Sequence, residues 1–148
     1  MQATNRLTQR RGNRRGGAIL EMALVLGLLL NLTFGMVEFS YFFYVKNAFE
    51  NAAREGVRAA MVPGGTTSSA TTAVTNALTA YHFPAGSVNT ATVTDTSGNT
   101  LDPSTAAVGT TLQVNVTATW STIGAGFRPL TLISGSKTVS GICVMLKE

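Results

Sequence analysis

The chain has 148 residues, 45% hydrophobic and only 12% charged, with eleven Lys and Arg against seven Asp and Glu. That length allows one modest domain plus a membrane segment. A single cysteine, Cys143, and a single histidine, His82, exclude an internal disulfide and leave no CxxC or His/Cys cluster for a metal.

Residues 1–16 are polar and hold Arg6, Arg10, Arg11, Arg14 and Arg15. From Gly17 onward the chain has six basic and seven acidic residues, so its basic character belongs to this leader. The leader is expected to be disordered or removed, and to form the cytoplasmic flank of a membrane helix. No recognition helix or interleaved aromatic accompanies the arginines, so nucleic acid is not the expected partner. Residues 18–37 follow as about 20 apolar-dominated positions, roughly 30 Å of helix. Asn31 and Thr33 interrupt the run, and Gly27 and Gly35 open its surface. A cleavable secretory signal has a shorter core and a small-residue stop, whereas this pattern continues as helix.

In the continuation, Val45, Ala48, Phe49, Ala52, Ala53, Gly56, Val57, Ala60 and Met61 recur at steps of three and four and form one apolar stripe. Lys46, Asn47, Glu50, Asn51, Arg54, Glu55 and Arg58 fill the other face, with Glu50 and Arg54 at i,i+4. One helix over 17–61 is predicted, apolar all round in its first half and amphipathic in its second. Val62-Pro63-Gly64-Gly65 stops it.

A second helix is predicted near 69–81, with Ala70, Val74, Ala77, Leu78 and Tyr81 on one face and Phe83-Pro84-Ala85-Gly86 as its end. The period then changes to two. Val88–Thr96 and Thr111–Trp120 alternate, with a turn at Ser97-Gly98-Asn99; Leu112, Val114, Val116, Ala118 and Trp120 share a face. Residues 121–136 read as a connection holding Phe127-Arg128-Pro129-Leu130. Lys137–Lys147 is the last strand; both its faces are apolar, so it is expected to be central or covered on both sides. Three strands, antiparallel, need a helix to cover them, and the amphipathic half of the first helix supplies it. The fold class is α+β.

No GxGxxG, P-loop, HExxH or nucleophile elbow is present, so no catalytic residue, metal site or cofactor is expected. His82 and Cys143 read as structural, Cys143 as a small buried residue on a strand; an intersubunit bridge or a lipid site is its alternative. The informative carboxylates are Glu21, costly inside hydrocarbon, and Glu38, expected to be solvated or interfacial. Tyr41-Phe42-Phe43-Tyr44 fits an interfacial aromatic belt or packing between subunits.

Cleavage between Gly16 and Gly17 would free an α-amino group, mostly protonated at neutral pH with a reference pKa of about 7.7–8.0. Glu21, then fifth in the chain, could meet the Gly17 amine of a neighbouring subunit; its alternative is to reach the headgroups alone.

Arg15-Gly16-Gly17-Ala18-Ile19-Leu20-Glu21-Met22-Ala23-Leu24-Val25-Leu26, Gly35-Met36-Val37-Glu38-Phe39 and the run from Asn47 to Ala60 resemble the TadE-like family. These are pseudopilins of the tight-adherence (Flp-type) branch of type IV pili. The resemblance is strong over about 14–62, looser in Gln113–Trp120, Arg128-Pro129-Leu130 and Lys137–Glu148, and carries nothing over 64–110. It implies a pilin-like long N-terminal helix, a prepilin peptidase cutting after Gly16, and partners in the membrane, in other pilin subunits through that helix, and in the assembly platform. A cut after Gly17 would leave Glu21 fourth. Met22 stands where the small major pilins carry tyrosine, and the chain is longer than theirs; both favour a pseudopilin.

The expected division is a leader, 1–16; a long helix, 17–62, with its transmembrane part about 18–40; and an extracytoplasmic α+β domain, 63–148. The expected place is the bacterial cytoplasmic membrane, single-pass, amino terminus cytoplasmic, with incorporation into a surface pilus open. The competing reading is an uncleaved single-pass envelope protein whose outer domain binds a ligand.

Overall fold

A computed structural model describes residues 14–83, 86, 90–123 and 129–148. The leader up to Asn13, the helix end at Pro84-Ala85, the expected strand start at Val88 and the pair Phe127-Arg128 lie outside the described residues.

The first helix, α1, runs Arg14–Met61, 48 residues. From Gly16 to Phe34 every residue is exposed; the first buried position is Gly35. Beyond it the apolar stripe closes on the domain: Val45, Ala48, Phe49, Ala52, Ala53, Gly56, Val57 and Ala60 are all buried. Most of these residues are small, which lets other elements approach the helix axis. A Cβ on Gly56 would lie 2.6 Å from Val74 Cγ2 and 3.2 Å from Val114 Cγ1. Glu50 sits 3.9 Å from Lys46 rather than pairing with the anticipated Arg54; this is the reverse order at the same spacing. Gly64 adopts φ +77° and ends the helix within the predicted stop.

The second helix, α2, spans Thr67–Ala80. Its N-terminus is a capping box: Ser69 N–H donates to Thr66 Oγ1 and Thr66 N–H donates to Ser69 Oγ. Ala70, Val74 and Leu78 are buried. His82, at φ +62°, turns the chain out of the helix, and Phe83 N–H then bonds Leu78 O. The histidine's exposed side chain and left-handed backbone mark a helix terminus, a structural role.

The sheet is antiparallel with strand order β1-β2-β3: Thr90–Thr94, Thr111–Thr119 and Thr138–Leu146. The inner face carries Val93, Leu112, Val114, Val116, Ala118 and Val139, all buried, and meets α1. The helix lies close to β3 at Gly141: a Cβ there would collide with the Phe49 carbonyl group and come within 2.5 Å of Glu50 N. Cys143 is half-buried on this inner face.

One expectation fails. The central strand is β2, and β3 forms an edge, with Ile142, Val144 and Leu146 exposed at 50%, 46% and 62%. Position in the sheet follows from pairing, and β2 is the strand whose alternating pattern suits two neighbours and one wet face. Outward across β1 and β2 runs a ladder of Thr92, Thr94, Gln113, Asn115 and Thr117, against which the apolar row of β3 is laid.

The β1–β2 connection is pinned by two aspartates, Asp95 and Asp102, and Asp102 Oδ1 accepts from Ser104 N–H and Ser104 Oγ at 2.9 Å. Asp95 Oδ1 accepts from Ser97 N and Asn99 N at 2.8 Å. The side-chain bond from Asn99, followed by its backbone bond, holds the Asp95 carboxyl below its ordinary range. Lys147, buried, donates its ammonium to Pro103 O and ties the end of β3 to the same loop. The fold is α+β as expected, with one addition: a single helical turn, α3, at Trp120–Ile123, which takes the last residue of the anticipated strand and the start of the anticipated connection.

Candidate processing and assembly site

The first half of α1 is the exposed, apolar part of the molecule. It contains an 18-residue window of mean hydropathy 2.0, none of it buried. Its polar side chains turn back onto their own helix: Asn31 Nδ2 donates to Gly27 O, Thr33 Oγ1 to Leu29 O at 2.7 Å and Ser40 Oγ to Met36 O at 2.8 Å. Each of these side chains therefore places a donor on a carbonyl four residues upstream, which lowers its cost in hydrocarbon. The length, the hydropathy and these internal bonds suit a lipid surroundings.

Gly16 and Gly17 lie in the first turn of this helix, and a Cβ at either would meet nothing within 4 Å. Glu21 is exposed one turn further on, and nothing among the described residues pairs with it. The structure thus sets Gly16, Gly17 and Glu21 along one bare helix end and gives Glu21 no partner within the chain's described part.

Glu38 departs from its expectation. It is fully buried, and its Oε1 accepts a 3.0 Å hydrogen bond from Ile133 N–H, 95 residues away. The reason is tertiary: the segment 129–133 folds back along α1 and covers the carboxylate. The other oxygen, Oε2, has no hydrogen-bond partner among the described residues. Sequence periodicity carried a weak sign of this, because Glu38 falls one helical repeat before Val45 on the buried stripe.

The aromatic quartet divides. Tyr41 and Phe42 are half-buried and meet Trp120, with centroids 5.7 and 5.3 Å away, whereas Phe43 and Tyr44 remain 59% and 47% exposed. Tyr41 and Phe42 therefore dock the end of the sheet onto the helix, a use outside both sequence alternatives. Tyr44 also reaches Tyr81 and Phe83, at 6.4 and 6.2 Å.

Residues 16–58 match the family model described as TadE-like protein. This segment is TadE-like. Neither a curated protein nor a solved structure matches the chain. The TadE-like match covers the bare half of α1, the Glu38 position and most of the amphipathic half, so it joins the membrane-suited segment to the first element of the domain. The match suggests a pilus-associated role for this segment, and α1 is one candidate membrane span by length and composition. Among the described residues no three His, Cys, Asp or Glu side chains cluster as metal ligands.

Proposed function

We propose that this protein is a pseudopilin of a Tad/Flp-type pilus or secretion apparatus. A prepilin peptidase cuts it after Gly16, and it waits in the cytoplasmic membrane, domain outward, until it joins other pilin subunits through α1. The observation that carries this reading is the TadE-like helix itself: exposed and apolar over its first half, with open space around Gly16 and Gly17 and one carboxylate, Glu21, without a partner among the described residues. Proteolysis unmasks an ammonium at Gly17. In low dielectric it and Glu21 are each costly alone and relieved together, which favours subunits docked at one stagger.

Intact-mass measurement on protein extracted from membranes with an active peptidase is expected to show loss of residues 1–16 and a new terminus at Gly17. Gly16→Ala is expected to slow or block that loss. An unchanged mass in cells that process other prepilins would favour the uncleaved envelope anchor instead. Glu21→Ala is expected to leave membrane insertion intact, since it removes a charge that is costly in hydrocarbon, and to reduce assembly. Normal piliation in that variant would remove Glu21 from the assembly step.

A further inference from the structure

Resting on the reading of α1 as a membrane span, we propose that the loop 129–133 is a second membrane contact. Leu130 and Leu132 sit among the acyl chains of the outer leaflet beside α1, and Glu38 ties the loop backbone to the helix.

Three observations converge. First, a groove of about 520 Å³ runs between α1 and this loop, lined among others by Leu28, Leu32, Gly35, Phe39, Leu130 and Leu132. Its α1 wall is continuous with the bare apolar face of the span, so whatever solvates that face reaches the groove. Leu28 lies about 14 Å inside Val37 along the helix axis, well within the hydrocarbon of a span that starts near Ala18.

Second, Leu132 is 56% exposed although it touches the helix; a Cβ on Gly35 would stand 3.4 Å from its Cδ1. An exposed leucine laid along the helix beside the apolar face of the span is costly in water and favourable in lipid. Third, irregular backbone at membrane depth must have its polar groups met by protein. Glu38 does this at Ile133 N–H, and a carboxylate buried at the span's outer end is otherwise hard to account for. Thr131 is held at φ +50°, a conformation that is rare for a β-branched residue and persists only where the surroundings enforce it.

The occupant follows from the continuity of the groove with the span: acyl chains of phospholipid, with a second copy of α1 as the rival. The test uses the full chain in a Cys143→Ala background, reconstituted into vesicles of phosphatidylethanolamine and phosphatidylglycerol. An environment-sensitive fluorophore is attached after Leu132→Cys, Leu24→Cys or Val108→Cys in turn. Leu24 reports the span, and Val108, 79% exposed on the domain, reports water.

Nitroxide-bearing acyl chains are expected to quench the label at 132 several-fold more than that at 108, and aqueous iodide to do the reverse. Iodide quenching at 132 equal to that at 108 overturns the inference. Protection of 132 from both quenchers, with energy transfer between labelled copies, overturns it in favour of self-association. Should the label at 24 also be wet, the span reading itself falls; a dry 24 with a wet 132 sinks the loop contact alone. Glu38→Ala is expected to lower lipid quenching at 132 and leave it unchanged at 24, whereas equal quenching at 132 in both proteins takes the positioning role from Glu38.

Discussion

Gly141→Val is expected to prevent the domain from folding, and Gly141→Ala to cost at or above the ~3 kcal/mol upper end of overpacking. At Gly141 the sheet and the long helix come to backbone contact, and an added Cβ would strike the Phe49 carbonyl and the Glu50 nitrogen, which cannot rotate away as a side chain could. Relief requires α1 to lift from β3. That would open the contacts of Phe49 and Val45, both fully buried, and strip the sheet of its cover. Domain stability of about 5–15 kcal/mol leaves little margin for it. Pulse proteolysis across a urea series, on protein held in detergent, reads the domain separately from the membrane half of α1. Gly27→Ala serves as the comparison: nothing lies within 4 Å of its Cβ, and protection equal to the unsubstituted protein is expected. Protection of Gly141→Ala equal to that of Gly27→Ala would mean that helix and sheet are not in the contact described.

Trp120→Ala is expected to destabilise the domain by about 3–5 kcal/mol. Trp120 is fully buried where β2 passes into α3, its backbone N–H donates to Lys137 O at 2.7 Å, and its ring meets Tyr41 and Phe42. It is the side chain that fastens the end of the sheet to α1 just beyond the candidate span. Removing it leaves a cavity between the end of the sheet and α1. The same proteolysis assay applies, with Trp120→Phe expected to recover part of the loss through the retained aromatic contact. Equal protection of Trp120→Ala and the unsubstituted protein would show that the ring contributes no net packing.

Much of the architecture was legible without coordinates because it rests on short-range periodicity. The apolar stripe from Val45 to Ala60, the stop at Pro63-Gly64, the face of α2 at Ala70, Val74 and Leu78, and the alternation of β2 are each written in neighbours three, four or two residues apart. They came out close to the observed bounds: α1 ends at Met61, and β2 starts at Thr111. The candidate site near Gly16, Gly17 and Glu21 was legible for the same reason, since basic flank, glycine pair, carboxylate and apolar run are contiguous. Glu38 was not. Its partner lies 95 residues away, and a glutamate beside an apolar run looks the same whether water or a returning loop covers it.

By its local order alone, the sequence determined a long two-part helix, a membrane-suited first half with one acid near its start, and an α+β domain behind it, because helical and strand periods and charge near a hydrophobic run are properties of adjacent residues. Only the tertiary structure decided that β3 is an edge, that Gly141 must lack a side chain, that Tyr41 and Phe42 hold Trp120, and that Glu38 is buried under the 129–133 loop. Each of these depends on which distant segments come into contact, and close packing sets that for the whole chain at once.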